Sequence, residues 1–178
     1  MEIERWDLSR LTTGEYAALR RAAGTTDFDV AAWRAYYKVD VPRKDEDERF
    51  TALCMSCLWR IEDEVTVLPM EECLRHVCWE NMDGKSELRE SMARRVEALL
   101  ETRYSNDGYF QGKLLSLVKI IRSDGRRFKP DFEKLADDLR WWNNENRSVQ
   151  RKWLRTIYHK IDENDENNGT EEETNHDA

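Results

Sequence analysis

Apolar residues return along this chain at steps of three and four, the spacing of one helix face. Phe132, Leu135, Leu139 and Trp142 form one such stripe. Pro130 and Asp131 mark its start, because proline tolerates the first turn and an acid suits the positive end of a helix. After a polar break from Asn143 to Asn146, Val149, Trp153 and Ile157 repeat every four residues, with Arg147, Arg151, Lys152 and Arg155 around them.

The same pattern recurs upstream. Thr12 and Glu15 read as a capping box ahead of Tyr16, Leu19 and Ala23, with Gly24 closing that helix. Val30, Trp33 and Tyr37 predict a short second helix that ends before Pro42. Phe50, Leu53, Cys54, Cys57, Leu58 and Ile61 predict a buried third. Met70, Cys73, Leu74, Val77 and Cys78 predict a fourth after Pro69, and Leu88, Met92, Val96, Leu99 and Leu100 a fifth. Phe110, Leu114, Leu117, Val118 and Ile121 predict a sixth. Val65 to Val67 suits a brief extended segment, and Asn81 to Ser86 reads as a linker. The expected fold is all-α and two-lobed, with about eight helices: an N-terminal lobe over 1–83 and a C-terminal bundle over 84–161. Residues 162–178 carry eight acids and no lysine or arginine, so they are expected to be disordered.

Charge changes this picture once the acidic segment is set aside. The chain has a formal net charge of -8, but residues 1–161 balance at 29 acids and 29 bases. Residues 1–83 hold 11 bases and 18 acids, and residues 84–161 hold 18 bases and 11 acids. A positive half beside a negative one permits polyanion binding by one face despite an acidic composition. No run of about 20 apolar residues predicts a membrane span, and the opening MEIERWDLSR lacks the layout of a signal peptide. A cytoplasmic protein with reduced thiols is expected.

Candidate chemistry is sparse. Cys54 and Cys57 are spaced C-x2-C, and Cys73 and Cys78 are spaced C-x4-C around His76, close to a zinc pattern. All four fall on apolar stripes with no flanking knuckle turn, so buried core thiols are the favoured reading and no metal or cofactor is expected. The histidines are scattered, no nucleophile or phosphate-loop motif occurs, and neighbouring Asp137 and Asp138 point in different directions from a helix. Catalysis is not expected. Basic side chains remain: Arg20 and Arg21, Arg94 and Arg95, Lys113, Lys119 and Arg122, then Arg126, Arg127 and Lys129. Such residues suit phosphate contact without sequence readout, although solvated helix faces carry the same residue types. Trp33, Trp59, Trp142 and Trp153 read as core, whereas Trp141 must face elsewhere.

Three segments, in this order, are similar to the CasB family, the small subunit of the type I-E CRISPR surveillance complex Cascade. They are YAALRRAAG with AAWRAYYKV at 16–39, ARRVEALLE at 93–101, and LLSLVKIIRSDGRRFKPDFEKLADDLRWWN at 114–143; VQRKWLRTIY follows them. The resemblance implies a non-catalytic, all-helical subunit present in two copies. It implies contacts with the backbone and large subunits, with the guide–target hybrid and with the displaced DNA strand. By motif match it points to Arg20, Arg21, Arg94 and Arg95 as nucleic-acid contacts, with Lys113, Lys119, Arg122 and Arg126 behind them. The cysteines and the acidic segment are not part of the family pattern; that segment would repel DNA or screen the basic half. The competing expectation is a helical adaptor that binds only protein.

Overall fold

The capping chemistry expected at the first helix is present. Thr12 accepts from the Glu15 amide and Glu15 reaches back to the Thr12 amide, opening helix α1, Thr13–Ala22. The computed structural model describes residues 6–82 and 85–159, and among these it holds eight α-helices. Asp29 caps α2, Val30–Tyr36, by accepting from the Ala31 and Ala32 amides. Helix α3, Glu46–Ser56, has no side-chain cap, and Glu46, Asp47 and Glu48 offset its positive end instead. It ends earlier than its stripe predicts: Leu58 is buried beyond it, but Ile61 is exposed in the following turn.

Strand β1, Thr66–Leu68, precedes α4, Met70–Cys78. Strands β2, Trp79–Met82, and β3, Lys85–Leu88, then form an antiparallel hairpin where the polar composition had suggested a linker. Two causes account for it. The Trp79 indole donates to the Ile157 carbonyl at 2.7 Å, which anchors β2 to the last helix. Ser86 and Leu88 turn inward while Lys85 and Glu87 face solvent, an alternation too short to stand out in the sequence. Leu88 therefore belongs to β3, and helix α5 begins at Glu90 and runs to Glu101.

Helix α6, Tyr109–Ser123, leads to β4, Phe128–Pro130, which pairs in parallel with β1. Pro130 thus ends a strand, and Asp131 alone caps α7, Phe132–Arg140, by accepting from the Lys134 amide. Helix α8, Ser148–Tyr158, completes the order.

One hydrophobic cluster links all eight helices. Helix α3 packs chiefly on α7, and α4 on α8, so elements from both halves of the chain share this core. The 83/84 boundary and the acidic segment 162–178 lie outside the described residues. An aromatic ladder crosses the core: Tyr104, Phe110, Trp142 and Trp153 meet edge to face at 5.2, 5.0 and 5.2 Å. Each step adds about 1 kcal/mol to the area that it buries. Trp59 is buried with them, Trp33 is half-buried, and Trp141 is exposed beneath the Arg140 guanidinium.

All four cysteines are buried free thiols. Burial pushes Cys57 and Cys73 up to about 12 and Cys78 up to about 11, so they pack as small neutral core residues. Among the described residues, no group of three His, Cys, Asp or Glu is placed to hold a metal. None of the described helices is long and apolar enough to cross a membrane.

Candidate nucleic-acid interface

The basic residues divide by what surrounds them. Where α4, α7 and α8 meet, Lys152 is held 2.8 and 3.0 Å from the two Asp138 oxygens and 3.4 Å from buried Glu71. Lys134 reaches Glu71 at 3.5 Å, and the Trp153 indole donates to Asp138 at 2.8 Å. Burial alone would lower the Lys152 pKa, but the bonded Asp138 and nearby Glu71 raise it above its ordinary value. These ammonium groups are committed to holding helices together. Asp137, next to Asp138, points away to Arg49, as its position on the helix requires.

The seam between α1 and α6 is different. Tyr16 and Arg20 lie on one face of α1, with Gly24 just past its end, and Leu115, Lys119 and Arg122 lie on one face of α6. Two contacts fix the surroundings of these residues. At one end Gly24, at a φ of +78°, packs so tightly that an added Cβ would sit 2.4 Å from Leu115 Cδ2. At the other end the Tyr16 hydroxyl donates to the Trp59 carbonyl, and Trp59 shares a groove with Arg122 and Arg127. Arg20, Lys119, Arg122 and Arg127 are all exposed, and none is ion-paired with a described residue. The groove that Arg122 and Arg127 line also carries Glu62, Asp63, Glu64 and Asp124.

The remaining candidates lie outside this set. Arg21 is exposed one helix step from Arg20. Arg94 and Arg95 are exposed on α5. Arg94 pairs with Glu90 at 3.5 Å, both 79% exposed, a contact too solvated to hold the side chain firmly. Lys113 lies about 13 Å along α6 from Arg122 and folds over the Tyr109 ring at 4.7 Å. Arg126 is the poorest phosphate ligand of the set. Its guanidinium grips Asp124 through two bonds of 2.7 and 2.8 Å, which raises its pKa and holds Asp124 below the carboxylate range.

Arg127 is the residue that sequence ranking left aside in favour of Arg126. Its backbone is left-handed, at a φ of 56°, and it lines the same groove as Arg122, with no ion pair to a described residue. The Ser123 to Lys129 loop announced a turn, but the sequence did not say which arginine would be spent within it.

The model of the family described as CRISPR-associated protein Cse2 matches residues 15–158. Among solved structures, a chain of a CRISPR RNA-guided surveillance complex is 24% identical, with a TM-score of 0.59, and the match covers 84% of this chain and 87% of that one. CasB from M. ruber is 18% identical at a TM-score of 0.58, with 84% and 87% covered. CasB from Thermobifida fusca is 21% identical at 0.58, with 82% and 84% covered. No curated protein matches the sequence. At these identities the likeness of the solved structures establishes the shared fold.

Proposed function

Because the chain belongs to the CRISPR-associated Cse2 family, also known as CasB, we propose that it is the non-catalytic small subunit of a crRNA-guided surveillance complex. In this reading it joins the backbone and large subunits alongside a second copy of itself. It stabilises the guide–target hybrid and the displaced strand by touching phosphates. The observation that carries the reading is that Arg20, Lys119, Arg122 and Arg127 are exposed with no ion partner among the described residues, Arg122 and Arg127 sharing one groove. Arg21, Arg94 and Arg95 extend this set. Long cationic side chains with no internal partner lose little when they exchange water for phosphate, and each contact releases counterions. Such contacts carry no sequence information; guide pairing supplies that. Opening a duplex against a guide is nearly balanced in energy, so a few phosphate contacts suffice to tip it.

The test is binding of target double-stranded DNA by a guide-loaded complex purified without this subunit and then reconstituted with it. Addition should tighten binding, with a steeper dependence on salt. A subunit that enters the complex without changing affinity would instead be a protein-binding adaptor. One that does not enter would overturn the reading altogether.

A further inference from the structure

Away from these basic residues, a cavity of about 90 Å³ opens between the start of α2, α3 and the loop before α6. One wall is aromatic. Trp33 lies flat on Phe50 with ring centroids 4.1 Å apart, and Phe28 continues the stack outward at 6.4 Å. Phe50 is buried and Phe28 is 77% exposed, so the three rings step from core to solvent.

The other walls are acceptors. Asp27 and Asp47 line the cavity, and no lysine or arginine does. Asp47 accepts a hydrogen bond from Asn106 at 3.0 Å and has no ion pair with a described residue. At the back sits Gln111, only 1% exposed. Its amide nitrogen donates to the Ser105 carbonyl at 2.8 Å, but its carbonyl oxygen has no hydrogen-bond partner among the described residues. A buried acceptor left open costs about 1–3 kcal/mol, so it marks a place where a donor belongs.

We propose that this cavity is a socket for an arginine side chain presented by a protein partner. Each wall selects for that group. Carboxylates and an unpaired carbonyl ask for a ligand that only donates, and the negative charge asks for a cation. Acceptors on separate walls favour a cation with several donors in a fixed fork, which a guanidinium supplies and a hydrated metal ion does not. The acidic lining repels phosphate, which excludes nucleic acid. The volume holds a group about the size of three water molecules, which suits a guanidinium but not a nucleobase. A protein source is favoured over free arginine by exposed Phe28, which follows Asp27 and stacks on Trp33 of the lining, an apolar shelf for residues flanking the arginine.

The experiment needs no nucleic acid, so its outcome is independent of the phosphate-binding reading. The full chain is titrated with acetyl-Leu-Arg-Leu-amide while the Trp33 indole N–H and the Gln111 side-chain amide are followed by NMR. Saturable shifts at both are expected, with a dissociation constant roughly in the millimolar range, as suits one anchored side chain. The citrulline peptide, which keeps the shape and loses the charge, should bind at least about tenfold more weakly. Asp47→Asn, at an exposed position that the fold tolerates, should weaken the arginine peptide about fivefold. Equal binding of the citrulline peptide, an unchanged affinity in Asp47→Asn, or no shift at Gln111 would each overturn the proposal. So would the same shifts with calcium chloride alone. Free arginine amide binding as tightly as the peptide would overturn the protein partner.

Discussion

Two basic regions of this protein use the same residue types to opposite ends. At the junction of α4, α7 and α8, Lys134 and Lys152 are drawn onto buried Glu71 and Asp138. Along the α1–α6 seam, Arg20, Lys119 and Arg122 project into water with no described ion partner. In sequence both read as cations interleaved with an apolar stripe. The difference is whether a carboxylate arrives from another element. A charge with an internal partner is structure; a charge without one is available for binding.

That contrast can be broken from either side. The largest effect should come from Asp138→Ala, which leaves the buried Trp153 indole without its acceptor and removes the nearer of the two carboxylates that hold Lys152. Stability in chemical denaturation should fall by about 3 kcal/mol, while the protein that remains folded should bind DNA in the reconstituted complex unchanged. Reversing Arg20, Lys119 and Arg122 together to glutamate should do the opposite. Stability should change by less than about 1 kcal/mol, and target-DNA affinity should drop on the order of 100-fold with a shallower salt slope. Arg126→Gln is the control within the same loop, and its affinity should match the parent because Asp124 already holds that guanidinium. Affinity lost with Arg126 and kept without the seam residues would reverse the comparison.

Gly24→Ala sharpens it further. The substitution imposes a side chain at a positive φ and drives a methyl into Leu115. A destabilisation of about 1–3 kcal/mol is expected, together with a weaker DNA contribution as the end of α1 is pushed off α6. The smallest effect concerns pH. Burial, then the charges of Arg126 and Arg75, hold His76 below its ordinary value of 6.5. As pH falls through that value, the unfolded chain takes up a proton that the folded one resists, so stability should decline toward acid. His76→Gln should flatten the curve in that window. An unaltered curve would mean that the ring is solvated in solution.

Much of the architecture is local and therefore legible from the chain. The capping box at Thr12, the stripe from Met70 to Cys78, and the four-residue repeat of Val149, Trp153 and Ile157 each express helix geometry within a few neighbours. The cysteines could be assigned to the core for the same reason, since they fall on apolar stripes. The extended stretch near Val67 and the outward face of Trp141 were readable too.

What the sequence alone determined was the helical order, the inward residues, and a reservoir of basic side chains in the second half. Tertiary structure decided everything that depends on distant partners. Pro130 became a strand residue because Leu68 lies beside it, and a polar linker became a hairpin because Trp79 finds Ile157. Arg126 was consumed by Asp124, Arg127 was left open beside Arg122, and Gly24 was brought against Leu115. Helix propensity acts over a few neighbouring residues, whereas a cation's fate is settled by which carboxylate the fold brings within about 4 Å.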